Sequence, residues 1–241
     1  DEETVNSLQV PSLSAGRMPE YLKANRLAVE NIKDKPVLSG CIGPFSLAGR
    51  LYDMSEIMVG IYIEPDVVKT LLDKCTAYIT AYCRELKAIG ATGVIMAEPA
   101  AGLLSNEDCQ EYSTVYVRQI VEAVQDENFA VILHNCGNKG QCTQAMIDSG
   151  AAALHFGNAV NMVETLEQCP SDLIVMGNIN PVGILKQATS EEVYRITADL
   201  LSKTSQYKNF VISSGCDMPP LVPDANIKAF YQAIADFNTG K

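Results

Sequence analysis

Residues 40–45 read Gly40-Cys41-Ile42-Gly43-Pro44-Phe45, and this stretch, closing the first apolar run of the chain, decides between two parallel folds. A doubly wound α/β sheet usually carries a glycine-rich phosphate loop after its first strand, with G-x-G-x-x-G spacing. That spacing is absent here, which leaves a (β/α) barrel as the reading. Outward from this point, short apolar runs alternate with helical patterns. The runs span 36–43, 93–98, 130–136, 151–157, 172–178 and 210–216. Most are near-continuous hydrophobic stretches without strict alternation, as strands covered on both faces read.

The segments between them are helical. From Glu64 to Ile89, Val68, Leu71, Leu72, Cys75, Ile79, Tyr82 and Leu86 recur at three- and four-residue steps, with Pro65 in the first turn and Gly90 as the stop. Ser105 with Asp108, and Thr189 with Glu192, resemble helix-start boxes, and Asp224 opens the last helix. Residues 1–35 are polar and weakly periodic, with one helical candidate around Pro19 to Ile32. The expected architecture is a single α/β domain over residues 1–241, a (β/α)8 TIM-type barrel. Only six strands are countable where eight are needed. Either two strands hide in the N-terminal segment, or the chain lacks the N-terminal part of its barrel; the abrupt polar opening without an initiator Met favours the second.

The chain has 241 residues, 47% hydrophobic and 20% charged, enough for a sizeable core. Its 18 basic and 29 acidic residues give a net charge of −11, which argues against nucleic acid or an anionic membrane surface as partner. No apolar run approaches the roughly 18 residues of a membrane span, and no signal-peptide pattern opens the chain. Eight cysteines spread through a large domain read as free thiols in a reducing cytoplasm rather than a disulfide framework.

In barrels of this kind, chemistry sits at the C-terminal ends of the strands. Both histidines of the chain, His134 and His155, fall there, together with Glu98, Cys136, Asn178, Cys216 and Asp217. In an extended strand, residues two apart share a face, so His134 and Cys136 can point at one ion. Cys216 ends the last run and can converge from another side. A Cys2His set with one open position is the arrangement of catalytic zinc. Two thiolates and a neutral imidazole cancel the charge of zinc, so a guest thiolate stays electron-rich. A free thiol is only about 3% ionised at pH 7, so metal-driven ionisation supplies about 30-fold, or roughly 2 kcal/mol. The same ligands could serve a zinc-hydroxide hydrolase, with only Glu98 or Asp217 as an evident base.

Several segments together resemble the uroporphyrinogen decarboxylase superfamily: Gly43-Pro44-Phe45-Ser46-Leu47-Ala48, His134-Asn135-Cys136-Gly137, Gly177-Asn178-Ile179-Asn180-Pro181, Ser214-Gly215-Cys216-Asp217-Met218-Pro219-Pro220, and Pro223-Asp224-Ala225-Asn226-Ile227. The resemblance covers roughly residues 10–238 and is greatest to the corrinoid-dependent methyltransferases of the methylcobamide:coenzyme M type. It implies a (β/α)8 barrel holding Zn2+ on His134, Cys136 and Cys216. It further implies a thiol acceptor, coenzyme M or homocysteine for example, that takes a methyl group from methylcobamide on a partner corrinoid protein. The decarboxylases carry a Leu-Gly-His-Gly type turn where this chain has Cys216.

The other strand-end residues carry double readings. Glu98 is a catalytic candidate, as a displaceable ligand or substrate contact, or else a solvated carboxylate capping the Glu98-Pro99-Ala100 turn. Asp217 is a catalytic candidate that orients a ligand, or caps a turn. Asn178 is a substrate-binding candidate, or bonds backbone groups in its own turn. His155 is a substrate-binding candidate or an alternative ligand. Two other functions stay open at this stage. One is a metal-free decarboxylase acting on a tetrapyrrole or polycarboxylate, which needs converging cations although only Arg50 lies just past a strand end. The other is a non-catalytic corrinoid-binding module whose cysteines merely pack.

Overall fold

In the computed structural model, which describes residues 2–240, six parallel strands form one sheet in sequential order. They are β1 (Leu38–Ile42), β2 (Gly93–Ala97), β3 (Ala130–Asn135), β4 (Ala153–Phe156), β5 (Ile174–Ile179) and β6 (Phe210–Ser214). Each lies inside one of the six apolar runs, apart from a one-residue extension of β5. Every connection carries helix, which gives a TIM-like α/β fold. Strands β1 and β6 are the two edges of the sheet.

Residues 2–35 contribute helices at Glu2–Ser7 and Met18–Asn31 and no strand, so the two uncounted strands do not lie there. The first helix is held by Lys74, whose ammonium donates to the carbonyls of Val5, Asn6 and Leu8 at 2.6, 2.8 and 2.7 Å. The second runs along the core through Met18, Leu22 and Val29.

The strands lack strict alternation because both faces of the sheet are largely apolar, yet the two faces differ. Val94, Met96, Val131, Leu133, Leu154, Phe156 and Val175 point outward into the main core against the helices. Ile95, Ala97, Ile132, His134, His155 and Met176 point inward and line a cavity of about 870 Å3. Across the sheet Ala97, His134, His155 and Met176 are paired in register, one tier at the C-terminal end. The outward core includes Ile79, Tyr82, Cys83 and Leu86 from the long helix Pro65–Ile89, which stops at Gly90 with φ 98°. Thr189 and Glu192 form the reciprocal capping box the sequence suggested, and Ser105 accepts from the Asp108 N–H at 3.0 Å. Among the described residues no helix is long and apolar enough to cross a membrane.

Candidate metal centre

Strand β3 carries His134 on the cavity face, and the chain turns immediately after Asn135. The Asn135 side chain makes that turn by accepting from Gly137 N–H at 3.1 Å and Asn138 N–H at 3.0 Å. Cys136 therefore sits at the rim with its thiol on the side of His134. Gly157, just past β4, backs it closely: a Cβ there would fall 2.7 Å from Cys136 Cα. Cys216 arrives from the turn after β6. The potential ligand atoms of His134, Cys136 and Cys216 all lie within 4.8 Å of one another. The structure thus brings together the three residues that the sequence pattern paired with a metal.

His134 Nε2 is buried and has no hydrogen-bond partner, the one such side-chain atom among the described residues. Nδ1 of the same ring lies 2.6 Å from His155 Nδ1 and 3.3 Å from the His155 carbonyl. His155 Nε2 in turn lies 2.9 Å from the Ser214 carbonyl and 2.8 Å from Ser213 Oγ. Burial lowers the pKa of His134 below its ordinary value. Burial, together with the neighbouring His134, lowers that of His155 to about 4. Burial and the adjacent Cys216 raise the Cys136 thiol to about 11. Without a cation, the pocket favours neutral imidazoles and a protonated Cys136; a divalent ion reverses the balance at sulfur, because a coordinated thiol is deprotonated. The unpartnered Nε2 and the two soft sulfurs fit zinc.

A sequence profile described as uroporphyrinogen decarboxylase (URO-D) matches residues 1–237. The chain belongs to this family. Among curated relatives it is 27% identical over 238 residues to the methylcobamide:CoM methyltransferase MtbA of Methanosarcina mazei, covering 98% of this chain and 68% of that protein. It is 23% identical over 246 residues to a uroporphyrinogen decarboxylase of Legionella pneumophila, covering 99% and 69%. Among solved structures, a methyltransferase from Methanosarcina mazei superposes with TM-score 0.87 at 22% identity, covering 97% of this chain and 69% of that one. A B12-independent methionine synthase from Shewanella superposes at 0.67 with 16% identity, covering 92% and 68%. These two likenesses speak for the fold. The chain spans about two thirds of the length of its relatives.

Within this uroporphyrinogen decarboxylase family chain, two of the expected site residues stand away from the cluster of His134, Cys136 and Cys216. Glu98 is 1% exposed and does not line the cavity. Its carboxylate accepts from Phe45 N–H at 2.7 Å, Ser46 N–H at 2.8 Å and Ser113 Oγ at 3.0 Å. It is neither a ligand nor a solvated turn cap. It tethers the N-terminus of helix Pro44–Tyr52, where free N–H groups and the helix dipole favour an anion. Gly43 makes room for it, since a Cβ at that position would lie 2.5 Å from Glu98 Cδ. The Gly43-Pro44-Phe45 motif is thus a carboxylate cradle. Burial still pushes the Glu98 carboxyl above its ordinary pKa, against the pull of the donated bonds.

Asn178 does not line the cavity. Its amide donates to the carbonyls of Gly157 and Val160, both at 2.9 Å, tying the loop after β4 rather than its own turn. His155 lines the cavity, and both of its ring nitrogens are engaged within the protein. Asp217 lines the cavity beside Cys216 and is solvent-exposed, so it keeps its place at the mouth. Sequence reasoning missed Ser213, whose role appears only once β6 lies opposite His155. It missed Asn135 too, although Asn two residues before Gly in a strand-ending turn was a readable signal.

Proposed function

We propose that the chain is a zinc-dependent methyltransferase that moves a methyl group from methylcobamide, carried by a partner corrinoid protein, to the sulfur of a small thiol such as coenzyme M or homocysteine. The observation that carries this reading is the convergence of His134, Cys136 and Cys216 with Nε2 of His134 buried and unpartnered. The similarity to the methylcobamide:CoM methyltransferase of Methanosarcina mazei supports the choice of donor and acceptor class.

His134, Cys136 and Cys216 would hold the zinc, three protein ligands leaving room for a guest. Bound there, zinc would keep an acceptor thiol ionised, and so nucleophilic, at neutral pH. The chain's own residues supply the rest. Ile95 and Ile132, one tier below His134, and Met176 beside His155 give the cavity an apolar wall. His155 keeps the His134 ring in place. Asp217, at the rim, would contact or orient the acceptor. A cytoplasmic setting suits eight free cysteines.

A decarboxylase acting on a polycarboxylate is disfavoured by the same cavity. None of its lining residues is Lys or Arg, and Asp217 adds a negative charge, so several carboxylates would be buried or crowded without partners. A packing-only role for the cysteines leaves the unpartnered imidazole nitrogen without a use. Incubation with methylcobalamin and a panel of thiols tests the proposal. Thiol-dependent loss of methylcobalamin with formation of the methyl thioether is the expected outcome. A zinc-loaded protein that demethylates methylcobalamin with none of the thiols would overturn it.

A further inference from the structure

We infer that His155 is a positioning residue for the metal ligand His134: it fixes the His134 proton on Nδ1 and leaves the Nε2 lone pair for the site shared with Cys136 and Cys216. This inference rests on the metal reading above and adds a residue to it that the three-ligand set does not contain.

The contacts of the two imidazoles fix where their protons lie. A carbonyl can only accept, so the 2.9 Å contact with Ser214 O requires a proton on His155 Nε2. Ser213 Oγ, 3.0 Å from the same carbonyl, donates there and keeps a lone pair for the same imidazole N–H. A neutral His155 then presents a lone pair at Nδ1. The 2.6 Å contact between the two Nδ1 atoms needs one proton, and it comes from His134. The His155 carbonyl, 3.3 Å from His134 Nδ1, accepts from the same N–H. Every polar contact is then satisfied, and the only atom left over is the His134 Nε2 lone pair. The opposite placement fails twice. It buries an Nε2–H with no acceptor and sets the Nδ1 lone pair against a carbonyl oxygen.

The same chain of bonds also joins the elements that bring the ligands. His134 and His155 are register partners on β3 and β4. The His155 side chain then passes the position of its β5 partner Met176 to reach Ser213 and Ser214 on β6, just before Cys216. One imidazole thus braces the strand of the first ligand against the strand of the third. Outer partners of this kind typically change metal affinity by about 10- to 100-fold when removed.

Imidazole nitrogen NMR of the metal-free protein tests the tautomer without any metal. With two histidines in the chain, the four nitrogen signals can be assigned by substitution. The expected result is a protonated Nδ1 and an unprotonated Nε2 on His134; the reverse overturns the inference. Zinc affinity, measured by competition with a chromophoric chelator, and the ligand-field spectrum of the cobalt-substituted protein give the second readout. His155→Ala should weaken zinc binding by about 10-fold or more and alter the cobalt spectrum. His155→Asn, which keeps an acceptor near the Nδ1 position, should stay within about threefold of wild type, on the same scale. Both comparisons use variants whose metal-free melting temperatures match wild type; where His155→Ala does not fold, the nitrogen NMR of the wild-type protein decides. Wild-type affinity in His155→Ala, or equal loss in the Ala and Asn variants, overturns the inference while leaving the metal reading intact. A wild-type protein that takes up no zinc defeats the metal reading itself, and the NMR result then decides the tautomer alone.

Discussion

Glu98 fills the space that a side chain on Gly43 would need, 2.5 Å from the position of the missing Cβ. A charge that reads as catalytic along the strand is in fact bonded to the start of a helix, and the two residues form a structural pair. Glu98→Gln should cost about 1–3 kcal/mol, because one of the two backbone N–H donors loses its acceptor. Gly43→Ala should cost a similar amount by displacing the carboxylate. Denaturant melts check the stability, and elemental analysis of the folded variants should find zinc content unchanged. Normal stability combined with lost zinc in Glu98→Gln would return Glu98 to the metal centre.

Asn178 should behave in the same structural way. Asn178→Ala leaves the carbonyls of Gly157 and Val160 without their donor, a loss of about 1–2 kcal/mol. The Michaelis constant for the thiol should stay within a factor of about 3, which corresponds to well under 1 kcal/mol. A large rise in that constant with unchanged stability would make Asn178 a substrate contact after all.

The two histidines predict a pH dependence for the metal-free protein. Unfolded, both imidazoles titrate near 6.5; folded, His155 titrates at about 4 and His134 below its ordinary value. Between these limits the unfolded chain binds protons that the folded chain refuses, so stability falls as pH falls from 6.5 towards 4. His155 alone accounts for at most about 3 kcal/mol of that loss. Chemical denaturation across the window should show a shallower slope in His155→Asn than in wild type. Parallel curves would mean that His155 is not held neutral.

The charge of the cavity makes a prediction about substrates. Uroporphyrinogen-type polycarboxylates find no Lys or Arg among the residues lining it, so equilibrium dialysis should detect no specific binding. Tight binding that survives Cys216→Ala would favour a metal-free decarboxylase.

Much of the fold is legible along the chain because the strands read as unbroken apolar runs and the long helix keeps a clean three-four spacing between Pro65 and Gly90. The three converging side chains were legible for a simple reason. His134 and Cys136 are two residues apart at a strand end, and Cys216 is at another strand end. What escaped depends on register and on distant partners. Glu98 meets Phe45 and Ser46 more than fifty residues away, and no local pattern announces that pairing. His155 looked like a second free histidine until β3 and β4 were aligned to set it against His134. Asn178 belongs to the loop of the preceding strand, which a turn-based reading assigns to its own turn.

The most direct measurement is the zinc content of protein purified without added metal, together with that of His134→Ala, Cys136→Ala and Cys216→Ala. About one zinc per chain is expected in wild type, with loss of the metal in all three variants. Metal-free wild-type protein with full thiol methylation activity, or variants that keep their zinc, would rule out a zinc centre on these three residues.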